Sequence, residues 1–430
     1  MVRLRQAIAL IDGNNFYAAC EQALDPALLG RPLVVLSNND GMVVSRSAEA
    51  RRLGIAMGLP YFKLRPVLER HGVAVRSSNY ALYGDMSQRL MTLLEAACEE
   101  LEVYSIDEAF ARLHRPAGGD LGPWARELRA RIRQSLGLPI AIGLASTKVL
   151  AKAANRLAKG NPAQAGVLDL GRAPGSGELE DWLERVAIED VWGIGRRLSR
   201  WCRLRGVANA RQMRDMPSGE LRARCGVVGV RLQLELRGMA CLPLQQGVPA
   251  KQETCVSRSF SRPVGELEEL RQAVASYVVR AAEKLRRQRQ LAGALTVFAR
   301  TSPFADGFYS QAASVRLPLA SQDTAVLLAA ALPLVGRLYR PHKRFQKAGV
   351  LLQELQGEEL LQQHLLVPQS PEQQGRRAAL METVDRLNGR YGRGTVQWAA
   401  CGLDPLWAMK RERLSGAATT RLEHVPVVWA

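Results

Sequence analysis

Apolar residues follow two different rhythms along the chain. Residues 7–11 are continuously apolar and end at Asp12, the pattern of a buried strand delivering a carboxylate to a sheet edge. Leu33–Leu36 and residues 42–44 flank Asn38-Asn39-Asp40-Gly41, a hairpin turn signal, and a short helix over 48–53 stops at Gly54. Leu90, Leu94, Ala97 and Leu101 form a helical stripe over 87–101, after which 102–113 returns to β composition. A helix over 123–136 and a strand over 140–144 follow, and Ser146 is placed to cap a helix reaching Ala158. Strands interleaved with helices predict an α/β sheet domain.

Residues 161–177, rich in Gly, Pro and Ala, mark a boundary, and a second lies near 241–250. Between them the chain is mostly helical. From 251 the pattern is strand (to 260), helix (266–288), strands (293–301 and 309–317), helix (323–338) and strand (346–355). That β-α-β-β-α-β order is the ferredoxin-like split pattern. A Gln/Glu-rich stretch after 356 reads as a linker and 378–429 as a last patterned piece.

The length of 430 residues calls for three or four modules, and 47% apolar with 23% charged residues is a folded composition. The net charge of +18 favours a polyanionic partner, since each phosphate neutralised releases condensed counterions. Residues 196–237 hold eleven Arg against Asp215, Glu220 and Glu235, which fits a phosphate-tracking surface. Seven cysteines without a C-x-x-C argue against disulfides or structural zinc and for a reducing compartment. The apolar start is cut off at Asp12, and the longest apolar stretch, 325–335, contains Pro333 and falls short of the roughly 20 residues a bilayer needs. The expectation is a cytoplasmic, nucleoid-associated protein without a membrane partner.

Asp107 and Glu108 stand side by side in a β-like run, so they can serve one site only at a turn or bulge; Asp12 is the candidate third ligand. Hard cations such as Mg²⁺ take oxygen ligands, and two of them would activate a 3′-hydroxyl and stabilise leaving pyrophosphate. Lys148, Lys152 and Lys159 fall on one helical face, which suits a polyphosphate and equally a solvated surface. Phe16-Tyr17 lies just past Asp12: a flat ring over the site would leave no room for a 2′-hydroxyl, with core packing the alternative for one of the two. Val191-Trp192-Gly193-Ile194-Gly195-Arg196 carries the helix-hairpin-helix signature, with Arg197 and Arg200 following, a device that grips DNA backbone without reading sequence.

These motifs, in this order, resemble a Y-family translesion DNA polymerase of the UmuC group. The likeness runs through Ile11-Asp12-Gly13-Asn14-Asn15-Phe16-Tyr17, Ser78-Asn79-Tyr80, residues 104–110, 190–197, 255–260, 281–286 and 345–351, and reappears at 392–395 and 409–414. It implies an α/β (α+β) right hand: palm 1–29 and 80–165, fingers 30–79, thumb 166–240, little finger 241–356, linker 357–377 and an accessory region 378–430. It further implies error-prone, template-directed addition of dNTPs to primer-template DNA past damage, in an SOS-type response. Two Mg²⁺ (Mn²⁺ a possible substitute) would be held by Asp12, Asp107, Glu108 and the Gly13 carbonyl. Tyr17 resembles the ribose-excluding gate, and Ser45, Arg51 and Lys159 resemble triphosphate contacts; Ala48 stands where some relatives have a phosphate-binding tyrosine. Implied partners are a processed UmuD-like dimer, a RecA-type recombinase filament and a sliding clamp. The clamp would bind at Gln363, Leu366 and Val367, where the terminal aromatic is missing and weaker affinity is expected. Trp398, Trp407 and Trp429, three of the seven tryptophans, point to partner docking or to packing on the little finger. Against the alternatives, the 378–429 region disfavours a UmuD-independent relative and the intact acidic trio a non-catalytic DNA-binding scaffold. The palm-like half gives a repair nuclease no support.

Overall fold

In a computed structural model describing residues 5–115, 119–171, 177–247, 249–360, 371–403, 405–419, 421–425 and 427, the run before Asp12 is strand β1 (Arg5–Gly13). The chain divides into two units, residues 1–37, 41–248 and 413–430 forming the first, and 38–40 with 249–412 the second. In the first, β1 is followed by α1 (Phe16–Leu24), β2 (Leu33–Leu36), β3 (Val43–Arg46), α2 (Ala48–Arg52), α3 (Tyr61–Arg70), β4 (Ala74–Ser77) and α4 (Tyr80–Glu95). Next come β5 (Glu100–Val103), β6 (Glu108–Arg115), α5 (Gly122–Leu136), β7 (Ile140–Ala145), α6 (Lys148–Gly160) and β8 (Val167–Asp169). Helices α7 (Glu178–Glu184), α8 (Arg196–Arg203), α9 (Ala210–Asp215) and α10 (Ser218–Leu236) follow.

The main sheet has the order β5-β6-β1-β7-β8, antiparallel except for the β7–β8 pair. Strand β1 is continuously apolar over residues 7–11 because both its faces are covered there. Ala7, Ala9 and Ile11 pack with α1, α4 and α5, while Leu10 packs with α6 and the helices beyond it. Helix α6 presses on the sheet at Gly143, where a Cβ would stand 2.3 Å from the Ala151 carbonyl oxygen. A smaller sheet, β3-β2-β4, carries α2 and α3 over its own core of Val34, Leu36, Val43, Leu64 and Leu68.

The structure corrects several sequence expectations here. Helix α4 begins at Tyr80, not 87, because Leu82, Tyr83 and Met86 extend its buried stripe and Asn79 caps it, Oδ1 accepting from Leu82 N at 3.2 Å. It ends at Glu95 because 100–103 are drawn into β5. The cap of α6 is Thr147 rather than Ser146: Thr147 Oγ1 accepts from Leu150 N at 3.3 Å and donates to the Glu235 carbonyl at 2.8 Å. Strand β8 lies past residue 165, so the sheet runs beyond the boundary expected there.

The second unit contains β9 (Thr254–Val264), α11 (Leu267–Arg287), β10 (Gln290–Thr301), β11 (Ser310–Ser321), α12 (Thr324–Leu338) and β12 (Phe345–Gly357). Its sheet order is β11-β10-β12-β9, so each β-α-β pair is split by a strand of the other. Helix α13 (Pro371–Tyr391) occupies part of the expected linker, and Arg286 grips its Asp385 through two bonds of 2.6 and 2.8 Å. Trp407 is buried against the rings of Phe260 and Tyr277, and Trp398 packs on the same core. These two tryptophans are therefore packing residues, not exposed anchors. Trp429, and Gln363, Leu366 and Val367 of the clamp peptide, lie outside the described residues. The accessory region is not one piece either, since 413–430 belong to the first unit. Among the described residues no helix is long and apolar enough to cross a membrane, and all seven cysteines are free.

Candidate active site

Asp12 stands opposite Glu108 in the β1–β6 register. A turn between β5 and β6 resolves the facing problem posed by adjacent carboxylates. The amides of Tyr104 and Ser105 both donate to the Glu108 carbonyl at 3.0 Å. The Ser105 hydroxyl accepts from Glu108 N at 3.2 Å and donates to Asp107 Oδ1 at 2.7 Å. The Gly13 amide then donates to the Asp107 carbonyl at 2.8 Å, tying the turn to the end of β1. Burial pushes the Asp12 carboxyl up to about 7, Lys159 opposing and the hydrogen bond with Glu108 adding to the rise. For Glu108 burial also raises, but the bond from Asp12 and the charges of Lys152 and Lys159 outweigh it and leave its pKa lowered. The neutral form is thus favoured on Asp12 and the charged form on Glu108.

Among the described residues no three carboxylate, imidazole or thiol groups converge closely enough to cage a cation as they stand. Each carboxylate here has another partner: Glu108 pairs with Lys152 at 3.1 Å, Asp12 with Lys159 at 2.5 Å, and Asp107 with Ser105. The donor set nevertheless fits a hard divalent cation, being carboxylate and carbonyl oxygen throughout, with Asp12, Gly13 and Asp107 lining one cleft.

The lysine face of α6 has three different uses. Lys148 is buried, donating to Glu102 Oε2 at 2.5 Å and to the Pro243 carbonyl at 2.8 Å, so it does not take part in a phosphate-binding stripe. Lys152, besides reaching Glu108, lies over the rings of Tyr104 and Trp192 at 4.5 and 5.3 Å. Lys159 faces a cleft of about 440 Å³ that Asp12, Gly13, Tyr17, Ser45, Arg51 and Asp107 also line.

Tyr17 stacks on Tyr83, ring centroids 4.4 Å apart and 13° between planes, whereas Phe16 is buried in the core behind it. The Ser45 hydroxyl already accepts from Ala18 N at 3.2 Å and donates to the Asn15 carbonyl at 3.3 Å, fastening β3 to α1. Arg51 borders the cleft beside Arg46, whose pKa is lowered by burial and by the Arg51 charge. Sequence reasoning missed Arg46; its signal was a basic residue next to Ser45 in a strand otherwise apolar.

In the thumb-like helices Gly193 has φ +86°, and a Cβ there would meet Leu232 Cδ1 at 2.7 Å. Gly195 opens α8 and its amide end. Arg196, Arg197 and Arg200 are exposed on this helix with no ion pair among the described residues. Arg203, Arg205, Arg211 and Arg214 instead pair with Glu189, Glu220, Glu184 and Glu180, so the phosphate-tracking surface is smaller than the arginine count implied.

Solved structures with this architecture include a Y-family DNA polymerase chimera, Dbh-Dpo4(243-245)-Dbh, at TM-score 0.63 and 22% identity over 82% of this chain and 99% of that one. A Dbh ternary complex matches at 0.52 and 22%, over 81% and 98%. The fold is that of a right-hand polymerase of the Y family. The impB/mucB/samB family model matches residues 11–156, its C-terminal domain 251–365, and a domain of unknown function 378–428. Protein UmuC of Salmonella typhimurium is 44% identical over 96% of this chain and 98% of that protein; MucB of Escherichia coli is 39% identical over 97% and 99%. DNA polymerase IV of Moorella thermoacetica is 28% identical over 93% and 97%. The chain belongs to the impB/mucB/samB family, the UmuC group of Y-family polymerases. It is a DNA-directed DNA polymerase of error-prone translesion synthesis, uses DNA and dNTPs, and depends on a divalent metal.

Proposed function

We propose that Asp12, Asp107 and Glu108, with the Gly13 carbonyl, hold two Mg²⁺ ions, for which Mn²⁺ can substitute. When bound, the cations would lower the pKa of the primer 3′-hydroxyl and neutralise charge developing on the leaving pyrophosphate. The chain's own groups do the rest. Lys159 and Arg51, helped by Arg46 and Ser45, hold the triphosphate in the cleft; Tyr17 and the buried Phe16 behind it set the floor under the sugar. Lys152 keeps Glu108 charged and ready as a ligand. Gly193, Gly195, Arg196, Arg197 and Arg200 hold template backbone.

In this reading the five-stranded sheet is the palm, residues 30–79 the fingers, the helices after β8 the thumb, and 249–356 the little finger. Its setting is the cytoplasm and nucleoid during an SOS-type response. There a processed UmuD-like dimer, a RecA-type filament and a sliding clamp, engaged through Gln363, Leu366 and Val367, are the partners. The observation carrying the assignment is the Ser105 turn, which brings Asp107 to the end of β1 beside Asp12 and Glu108. Primer extension on undamaged and abasic templates tests it. Asp107→Asn should abolish incorporation and leave primer-template affinity nearly intact; turnover at ordinary Mg²⁺ would remove Asp107 from the site.

A further inference from the structure

Residues 413–416 reach the aromatic cluster beside the candidate nucleotide cleft. Within the first unit, Arg413 and Ser77 exchange bonds, Ser77 N donating to the Arg413 carbonyl at 2.9 Å and Arg413 N to Ser77 Oγ at 3.0 Å. Two residues on, Asn79 Nδ2 donates to the Ser415 hydroxyl at 3.0 Å and lies 3.4 Å from the Gly416 carbonyl. The Ser415 hydroxyl donates to Glu21 Oε1 at 3.1 Å, and the same oxygen accepts from the Tyr83 hydroxyl at 2.7 Å. Glu21 and Tyr83 are 2% and 0% exposed, so the inner link of this relay is shut off from water, while Ser415 at its outer end is half-buried.

The relay joins the two helices that fix the Tyr17 ring. Glu21 lies one turn after Tyr17 on α1. Asn79 caps α4, whose Tyr83 stacks on Tyr17 and whose Tyr80 meets it edge-on at 6.1 Å. We infer that residues 413–416, inside the family segment of unknown function, are a strap that positions Tyr17 and so sharpens discrimination against ribonucleotides. Ser415, Asn79 and Glu21 are its positioning residues. The inference rests on the reading of Tyr17 as the sugar gate.

Asn79→Asp isolates the strap. Aspartate still caps α4 through Oδ1, but its second oxygen replaces the donor facing Ser415 and Gly416. In single-nucleotide insertion by the full chain, with dGTP and GTP opposite template dC, kcat/KM for GTP relative to dGTP should rise about 3–10-fold. Ser415→Ala should move the ratio the same way by less, and Ser415→Thr should restore it. Tyr17→Ala should relax selection by about tenfold or more, a clash of about 1–3 kcal/mol being removed, and Asn79→Asp should then add nothing, because both act on one ring. A relaxed Tyr17→Ala beside unaltered Asn79→Asp and Ser415→Ala would overturn the strap. So would an Asn79→Asp effect that persists undiminished without the ring. Tyr17→Ala with wild-type selection would overturn the gate reading itself, and the strap with it.

Discussion

Replacing Lys148 by methionine should unfold the first unit more easily without touching nucleotide binding. The side chains of Lys148 and Glu102 are 5% and 10% exposed, and the ammonium is the only cation within hydrogen-bond reach of that carboxylate among the described residues. Removing one member of a buried pair costs about 3–5 kcal/mol because the other charge is stranded. Glu102 Oε2 keeps the Gln245 amide at 2.7 Å, which places the loss near the lower end, about 3 kcal/mol. At about 2–4 °C per kcal/mol for a unit of this size, the thermal transition should fall by roughly 6–12 °C. Calorimetry on the full chain reads this directly, and steady-state insertion should show the KM for dNTP within twofold or so of wild type. Adding Glu102→Leu should recover most of the loss, since apolar replacement of a buried pair is often neutral. A raised KM with an unmoved transition would return Lys148 to the phosphate-binding surface and refute this account.

Lys159→Met should raise the KM for dNTP by about 10–100-fold, the loss of one charge-assisted hydrogen bond of about 1.5–3 kcal/mol, with primer-template affinity retained; an unchanged KM would detach Lys159 from the triphosphate. Reversing Arg197 and Arg200 to Glu should weaken all primer-templates alike and make the slope of log K against log salt shallower by about one for each phosphate left unneutralised. A changed sequence preference at constant slope would refute that role. Gly193→Ala combines a left-handed backbone with a 2.7 Å approach to Leu232 and should destabilise the hairpin by about 2–4 kcal/mol, seen as weaker DNA binding at every sequence. Wild-type affinity in this variant would show that the hairpin yields without consequence.

How far the sequence could be read depended on how local the cause was. Strand β1 was legible because burial on both faces leaves an uninterrupted apolar run, and the Asp107-Glu108 pair demanded a turn before one was seen. That Ser105 builds it was hidden, since serine is ordinary in any turn. Ser146 and Thr147 are equal candidates as caps by local rules, and the choice falls to Thr147 through its bond to Glu235, 88 residues away. The lysines of α6 looked alike because their carboxylates lie on other strands. Arg211 and Arg214 resembled DNA contacts for a similar reason, their partners Glu184 and Glu180 lying 27 and 34 residues back on another helix, although Asp215, beside Arg214 and bonded to it, was a local signal. The separation is greatest for Ser415 and Glu21, 394 residues apart, a pairing to which no periodicity or motif could point.

That long separation sets an order of events at the ribosome. The first unit's continuous portion ends at residue 248, yet Ser77, Asn79 and Glu21 are joined by residues from 413 onward. The intervening residues 249–412 take about 8–33 s to synthesise at about 5–20 residues per second. Through that interval the nascent catalytic half has the strands of its sheet but lacks residues 413–416, and the buried Glu21 carboxylate is missing one donor. On the strap reading, a message broken anywhere within the second unit yields an N-terminal half whose Tyr17 ring is left unbraced by residues 413–416. On that reading, sugar selection reaches its full strictness only after translation has passed residue 416.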